Sequence, residues 1–165
     1  MMKRFTYTIA VLIIGLLVHP ASAQVMEEFK GKKSPVHITS QRLEAEYEKK
    51  LITFIGDVVA RQEEFTLYAD RLLLFLADNM DDIDKIVARG NVHMEQGTRK
   101  ATCREAIYYH REGRLVLQGE PVVREGDNWV KGKRIIYYIE EQKSVAEGEG
   151  TERVSVTITP REVKE

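Results

Sequence analysis

Residues 52–76 read ITFIGDVVARQEEFTLYADRLLLFL, and this stretch decides the fold class. Ile52, Phe54, Gly56, Val58 and Ala60 recur at every second position. Side chains along a strand alternate between its two faces, so these five share one face of an extended strand. Gln62, Glu63 and Glu64 read as a polar turn, and Leu67 to Leu76 as a second apolar run returning antiparallel to the first.

Outward from this pair, the pattern repeats. Gly90 to Gly119 spans 29 positions and Gly119 to Gly148 another 29; in that register Ile107-Tyr108-Tyr109 falls on Ile136-Tyr137-Tyr138, and Cys103 on Gly132. Gly56 to Gly90 is longer, at 34, with the surplus in the acidic stretch Asp78 to Asp84. A period near 30 marks one supersecondary unit used several times, each unable to bury its apolar face alone.

Each unit also carries a parity shift. Leu67 and Ala69 share a face with Leu72, Leu74 and Leu76, Ala101 and Cys103 with Ala106, Tyr108 and His110, and Val130 and Gly132 with Ile135, Tyr137 and Ile139. One extra residue at the same point of each unit is what a β-bulge or corner requires. The return strands read Ile86, Ala88, Gly90, Val92, Met94 and Leu115, Leu117, Gly119, Pro121, Val123, and a last strand Val154, Val156, Ile158. Gln41 to Lys50 is rich in helix formers, but Leu43, Ala45 and Tyr47 align with the later copies and predict a strand there too. The class is all-β: a sandwich, a barrel or a stacked β-solenoid, with two open edges near Val36 and Ile158. The inward glycines Gly56, Gly90, Gly119, Gly132 and Gly148 have two readings, corners or spare room inside the trough.

The chain opens like a secretory signal: Lys3 and Arg4, an apolar run Ile9 to Val18, and a small-x-small site Ala21-Ser22-Ala23. The run is shorter than the roughly 18 residues of a membrane span. The expected organisation is a signal peptide at 1–23, a flexible segment at 24–34, one β domain at 35–160 and a tail at 161–165. Such a chain works outside the cytoplasm, in the periplasm of a cell with an outer membrane. Loss of the signal removes two of the 25 basic residues, leaving 23 against 26 acidic ones. That balance offers no general pull towards nucleic acid. A single cysteine, Cys103, excludes an intramolecular disulfide, and its inward slot beside Ala69 and Gly132 reads as a small buried hydrophobe.

Nothing points to catalysis or to a cofactor. His37, His93 and His110 lack metal-ligand spacing, and no nucleophile elbow, phosphate loop or dinucleotide fingerprint is present. Asp78 to Asp84 lacks the glycine and glutamate of a calcium loop and reads as a solvated turn. Lys100, Arg104, Lys131, Lys133 and Arg134 read as a solvated sheet face, with lipid phosphate as the other reading.

Pro35-Val36-His37-Ile38-x-Ser40, Thr53-Phe54-x-Gly56-Asp57-Val58 and Ala69-Asp70 resemble the OstA-like family. So do Gly132-Lys133-x-Ile135-x-Tyr137, Glu141-Gln142-Lys143 and Arg153-Val154-x-Val156 with Pro160. The resemblance covers about Pro35 to Pro160. It implies an open antiparallel β-jellyroll of stacked strand pairs, folded like a taco, with a long apolar groove. The groove would hold the acyl chains of lipopolysaccharide while the sugars stay outside. It also implies head-to-tail stacking into a periplasmic bridge, the N-terminal edge meeting an inner-membrane C component and the C-terminal edge an outer-membrane D component. In the family the positions matching Val36, Ile38, Met94 and Tyr108 line the groove, and all four fall on the inward face derived from alternation. His110 departs, since a larger apolar residue is usual there.

Extended over that face, the candidate lipid contacts are Val36 and Ile38; Leu43 and Ala45; Phe54 and Val58; Leu67; Leu72 and Leu74; and Ile86. The return strands add Val92 and Met94; Tyr108; Leu115 and Leu117; Val123; and Ile135 and Tyr137. The competing expectations are a packed β-solenoid scaffold that polymerises through its edges, and the C component of the same machinery. The Ala21-Ser22-Ala23 site speaks against the latter, which retains its anchor.

Overall fold

The computed structural model describes residues 34–80 and 82–160. The expected signal peptide, nearly all of the 24–34 segment and the 161–165 tail lie outside the described residues. The strands are β1 (His37–Thr39), β2 (Arg42–Glu46), β3 (Leu51–Gln62), β4 (Phe65–Leu76), β5 (Ile83–Gln96) and β6 (Arg99–Tyr109). The shorter ones are β7 (Arg114–Gln118), β8 (Val122–Glu125), β9 (Asn128–Lys131), β10 (Arg134–Tyr138), β11 (Lys143–Glu147) and β12 (Ser155–Thr157). All twelve belong to one antiparallel sheet.

That sheet is folded along a corner into two leaves. The first half of β3 pairs with β2, and its second half with β1. At the other end, β6 gives Glu105–Tyr109 to β7 and Arg99–Thr102 to β8. The first leaf therefore runs from β2 to β11, and the second from β1 to β12. One apolar cluster joins Val58, Leu67 and Met94 of the second leaf to Leu72, Ala106 and Ile135 of the first. The leaves face each other across it, as in an open jellyroll.

The corner is made the same way each time. Gly56-Asp57 on β3 stands opposite the single residue Asp70 on β4, and Gly90-Asn91 on β5 opposite Asp70 and Arg104. Two residues against one is a β-bulge. It explains why parity is kept along β3 and β5 but shifts along β4 and β6. Gly56, Gly90 and Gly119 have φ of 81°, 76° and 76°, and Asp57, Asn91 and Glu120 after them 47°, 47° and 58°. Over each glycine lies a neighbour's side chain, from Gln41, Asp70 and Arg104 in turn, and an added methyl would meet it at under 3.0 Å. That side chain then bonds the residue after the glycine: Gln41 to Asp57, Asn91 Nδ2 to Asp70 Oδ2 at 2.9 Å, and Arg104 to Glu120. Lys133 and Glu149 (3.4 Å) continue the series beside Gly148. These glycines are corner residues. Methyl groups at Gly132 and Gly148 would strike the backbone oxygens of Glu147 and Glu152. None of the five opens spare room in the trough.

Two stretches differ from the sequence expectation. Beyond Glu46 the chain leaves the strand for a 3-10 turn at Tyr47–Lys49, ending in left-handed Lys50 (φ 50°). Glu46 already pairs with Leu51, so the chain must reverse there, and Tyr47 points to solvent with 77% exposure. Gln62 is not in the turn. It closes β3 on the inward face, 8% exposed, and its Nε2 donates to the Ser34 carbonyl at 2.9 Å.

The outer face of the first leaf is closed by its own side chains. Lys85 lies over Phe75, Arg114 over Tyr109 and Lys143 over Tyr138, each pair directly opposite in register. Long cationic side chains bury their stems on apolar surface while the charge stays wet. Val87, Val116 and Ile136 in the neighbouring outward row are buried as a result.

Candidate functional site: the trough between the leaves

The inward side chains form straight rows that cross the strands. Nearest the corner in the first leaf run Leu43, Phe54, Leu72, Ala88, Ala106, Leu117, Ile135 and Ala146. One row further out run Ala45, Ile52, Leu74, Ile86, Tyr108, Leu115, Tyr137 and Ser144. In the second leaf Val58, Ala69, Val92 and Cys103 hug the corner. Ile38, Ala60, Leu67, Met94, Ala101, Val123, Val130 and Val156 form the next row.

Every candidate contact residue from β1 to β10 falls in one of these rows. Val36 lies just before β1 and is exposed. The structure thus brings the candidates together on one concave face, but it grades them. At the corner Val58, Val92 and Leu72 are sealed at 1–2% exposure. Ile38, Phe54, Leu74, Ile86, Leu115 and Val123 are only half-buried. Leu43, Ala45 and Val36 are exposed at one end of the trough, Val154 and Val156 at the other. Ala60, Leu67, Met94 and Tyr108, one row out, are buried as well, so the packed core fills the middle of the trough and accessible apolar surface lies along the rest of the outer rows and at the two ends. Ile52, Ala101, Val130 and Ala146 belong to the same wall and were missed, although each satisfies the alternation.

Burial also sets the chemistry of the groups within. It pushes the Cys103 thiol up to about 12, against weaker downward pulls from the Gln118 and Glu105 backbone. An un-ionised thiol is no nucleophile at neutral pH. Burial likewise raises Tyr108 and Tyr137, the latter countered in part by the charge of Arg99. His110 sits in the turn after β6, edge-on to Tyr108 with ring centres 6.1 Å apart, and its backbone N–H donates to the Asp84 carbonyl at 3.0 Å.

The charged residues lie mostly outside the trough and in pairs. Lys100 meets Glu95 at 3.0 Å, Arg134 is clamped to Glu147, and Arg89 holds Glu105. In the acidic stretch Asp78 pairs with Lys50 at 2.7 Å and Asp84 with Arg111 at 3.0 Å. In the cleft across the outer corner, Arg89 and Arg134 are paired with Glu105 and Glu147 of the same lining, and Arg104 with Glu120 beside it.

A two-leaved trough with bulged corners at a fixed period can be compared with known proteins. The family model described as LptA/(LptD N-terminal domain) LPS transport protein matches residues 37–143. The chain belongs to this family. It is the OstA-like grouping that the sequence resembles, and the match spans β1 to the start of β11. Among solved structures, the chain is similar to LptH of Pseudomonas aeruginosa, described as the LptA homologous periplasmic component of the conserved lipopolysaccharide transport device. The two superpose with a TM-score of 0.68 at 20% identity, over 79% of this chain and 99% of that one. At that identity the likeness speaks for the fold, an open antiparallel jellyroll. No curated protein matches the chain. Among the described residues no helix is long and apolar enough to cross a membrane.

Proposed function

We propose that this protein carries lipopolysaccharide through the periplasm, with the acyl chains in the trough and the sugars outside. One observation carries the reading: the inner rows are apolar from strand to strand, from exposed Leu43 at one edge to exposed Val156 at the other. In the first leaf's row from Ala45 to Ser144 every position but Tyr108 keeps some exposure, which a sealed core would not leave. Each methylene transferred from water to such a wall gains about 0.8 kcal/mol. The movement is passive, since the groove offers shelter and no driving force.

The edge strands β1 and β2, and β11 and β12, each lack a neighbour on one side among the described residues. Open edges accept further strands. Stacking head to tail would align one trough with the next, so lipid passes between protomers without meeting water. In this scheme the N-terminal edge meets the inner-membrane C component and the C-terminal edge the outer-membrane D component.

The test is co-elution of lipopolysaccharide with the purified full chain, wild type against Ile38→Asp/Ile86→Asp. The carrier reading expects the wild type to retain lipid and the variant, still folded by circular dichroism, to lose it. A wild type that retains none would leave the packed scaffold as the better account.

A further inference from the structure

The two lips of the trough differ. The second inward row of the first leaf, from Ala45 to Ser144, is mainly apolar, as described above. The second leaf carries a third inward row at its mouth, Gln62, Phe65, Gln96, Arg99, Glu125 and Asn128, polar but for Phe65. Parity puts this row inside: Gln96 follows Val92 and Met94, and Arg99 precedes Ala101 and Cys103.

Some of these groups are used within the chain. Gln62 holds the Ser34 carbonyl, and Arg99 Nε donates to Glu125 Oε1 at 3.2 Å with both side chains only about a fifth exposed (22% and 23%). What remains is a buried, unpartnered set: Gln96 Oε1, Glu125 Oε2 and, from the opposite lip, the Tyr137 hydroxyl. Gln96 and Glu125 flank Arg99 in register, and the Arg99 charge reaches the Tyr137 phenol. All three residues thus neighbour Arg99 at the mouth.

Buried polar atoms in native proteins nearly always have partners, because leaving one dry is costly. Their chemistry indicates the partner. A hydroxyl suits this set, since it donates its one proton to either acceptor and accepts from the phenol in return. An anion fits poorly, because Glu125 already neutralises Arg99. Resting on the groove reading above, we propose that this lip is a polar subsite that binds a hydroxyl carried by the lipid near the head of an acyl chain. It would set how far the chain slides in and keep the polar head at the second leaf.

The test uses the full chain and two probes differing by one hydroxyl, methyl tetradecanoate and methyl 3-hydroxytetradecanoate, each competing with a polarity-sensitive dye. A single hydrogen bond in a sheltered site favours the hydroxylated ester by about fivefold. Gln96→Leu lies outside the candidate apolar contacts and leaves the Arg99–Glu125 pair in place, so it should fold as well as the wild type by thermal melting. It should lose the preference and keep its affinity for the plain ester. Equal binding of both esters by the wild type, or a preference that survives in the variant, overturns the subsite while leaving the groove intact. Failure of either ester to bind overturns the groove reading, and the subsite with it.

Discussion

Replacing Gly90 by alanine tests the corner motif, and the structure supplies its own control. Gly90 has φ of 76°, and a methyl there runs into the Asp70 carboxylate that Asn91 holds at 2.9 Å. Gly97, in the β5–β6 turn, has φ of 54° and open space around the same methyl. Both variants pay the left-handed penalty of roughly 1–2 kcal/mol. Only Gly90→Ala must also displace Asp70 and break its hydrogen bond, a further 0.5–1.5 kcal/mol or about that much. The expected loss is therefore roughly 1.5–3.5 kcal/mol for Gly90→Ala against about 1–2 for Gly97→Ala. For a chain of this size each kcal/mol lowers Tm by about 2–4 °C. Urea titration of both variants and of Asp70→Ala/Gly90→Ala measures the difference directly. With Asp70 cut to alanine the contacts with the carboxylate go and only the Cβ contact at 2.9 Å remains, so the double variant should be less destabilised than the sum of its single changes. Equal losses at Gly90 and Gly97, or strict additivity with Asp70→Ala, would refute the clasp.

Leu72→Ala, at 2% exposure between Phe54 and Ala88, should cost about 3–5 kcal/mol in the same titration, since it leaves a cavity in the packed core. The Cys103 thiol should resist alkylation at pH 8 until the chain is unfolded, as its value near 12 implies. Its folded pKa lies above the ordinary 9.0, so its contribution is full below pH 9 and is lost as pH rises towards 12. Cys103→Ala should accordingly flatten the alkaline fall in stability seen by thermal melting. Leu43→Asp and Val156→Asp, at opposite exposed ends, should each abolish concentration-dependent association in light scattering without lowering Tm.

Much of the fold was legible because a bulge leaves a trace in sequence. The parity shift at Ala69-Asp70 and at Cys103-Arg104, against unbroken parity through Gly56 and Gly90, located the corner to the residue. Alternation also assigned the inward wall from Ile38 to Tyr137. What it could not supply was depth. Val58 and Leu74 look alike in a pattern of period two, yet one is sealed at the corner and the other half-open, because only the folding of the leaves separates them. Tyr47 was misplaced because its alignment with later copies ignored the hairpin that the first copy must make. The polar lip was hidden by composition: Gln62 sits in a run of hydrophilic residues and reads as turn, and Gln96 and Arg99 flank Gly97 in the gap where the apolar alternation stops at Met94 and resumes at Ala101. The corner glycines were ambiguous until their backbone angles and the overlying Gln41, Asp70 and Arg104 side chains were seen.

The carrier account stands or falls on which face meets lipid. A photo-crosslinker placed in turn at Ile38, Ile86 and Leu115, with outward neighbours His37, Lys85 and Arg114 as controls, asks this in one experiment with lipopolysaccharide and the folded chain. The account predicts adducts at the three half-buried inward positions and none at the controls. Adducts at the outward positions, or nowhere, would contradict it.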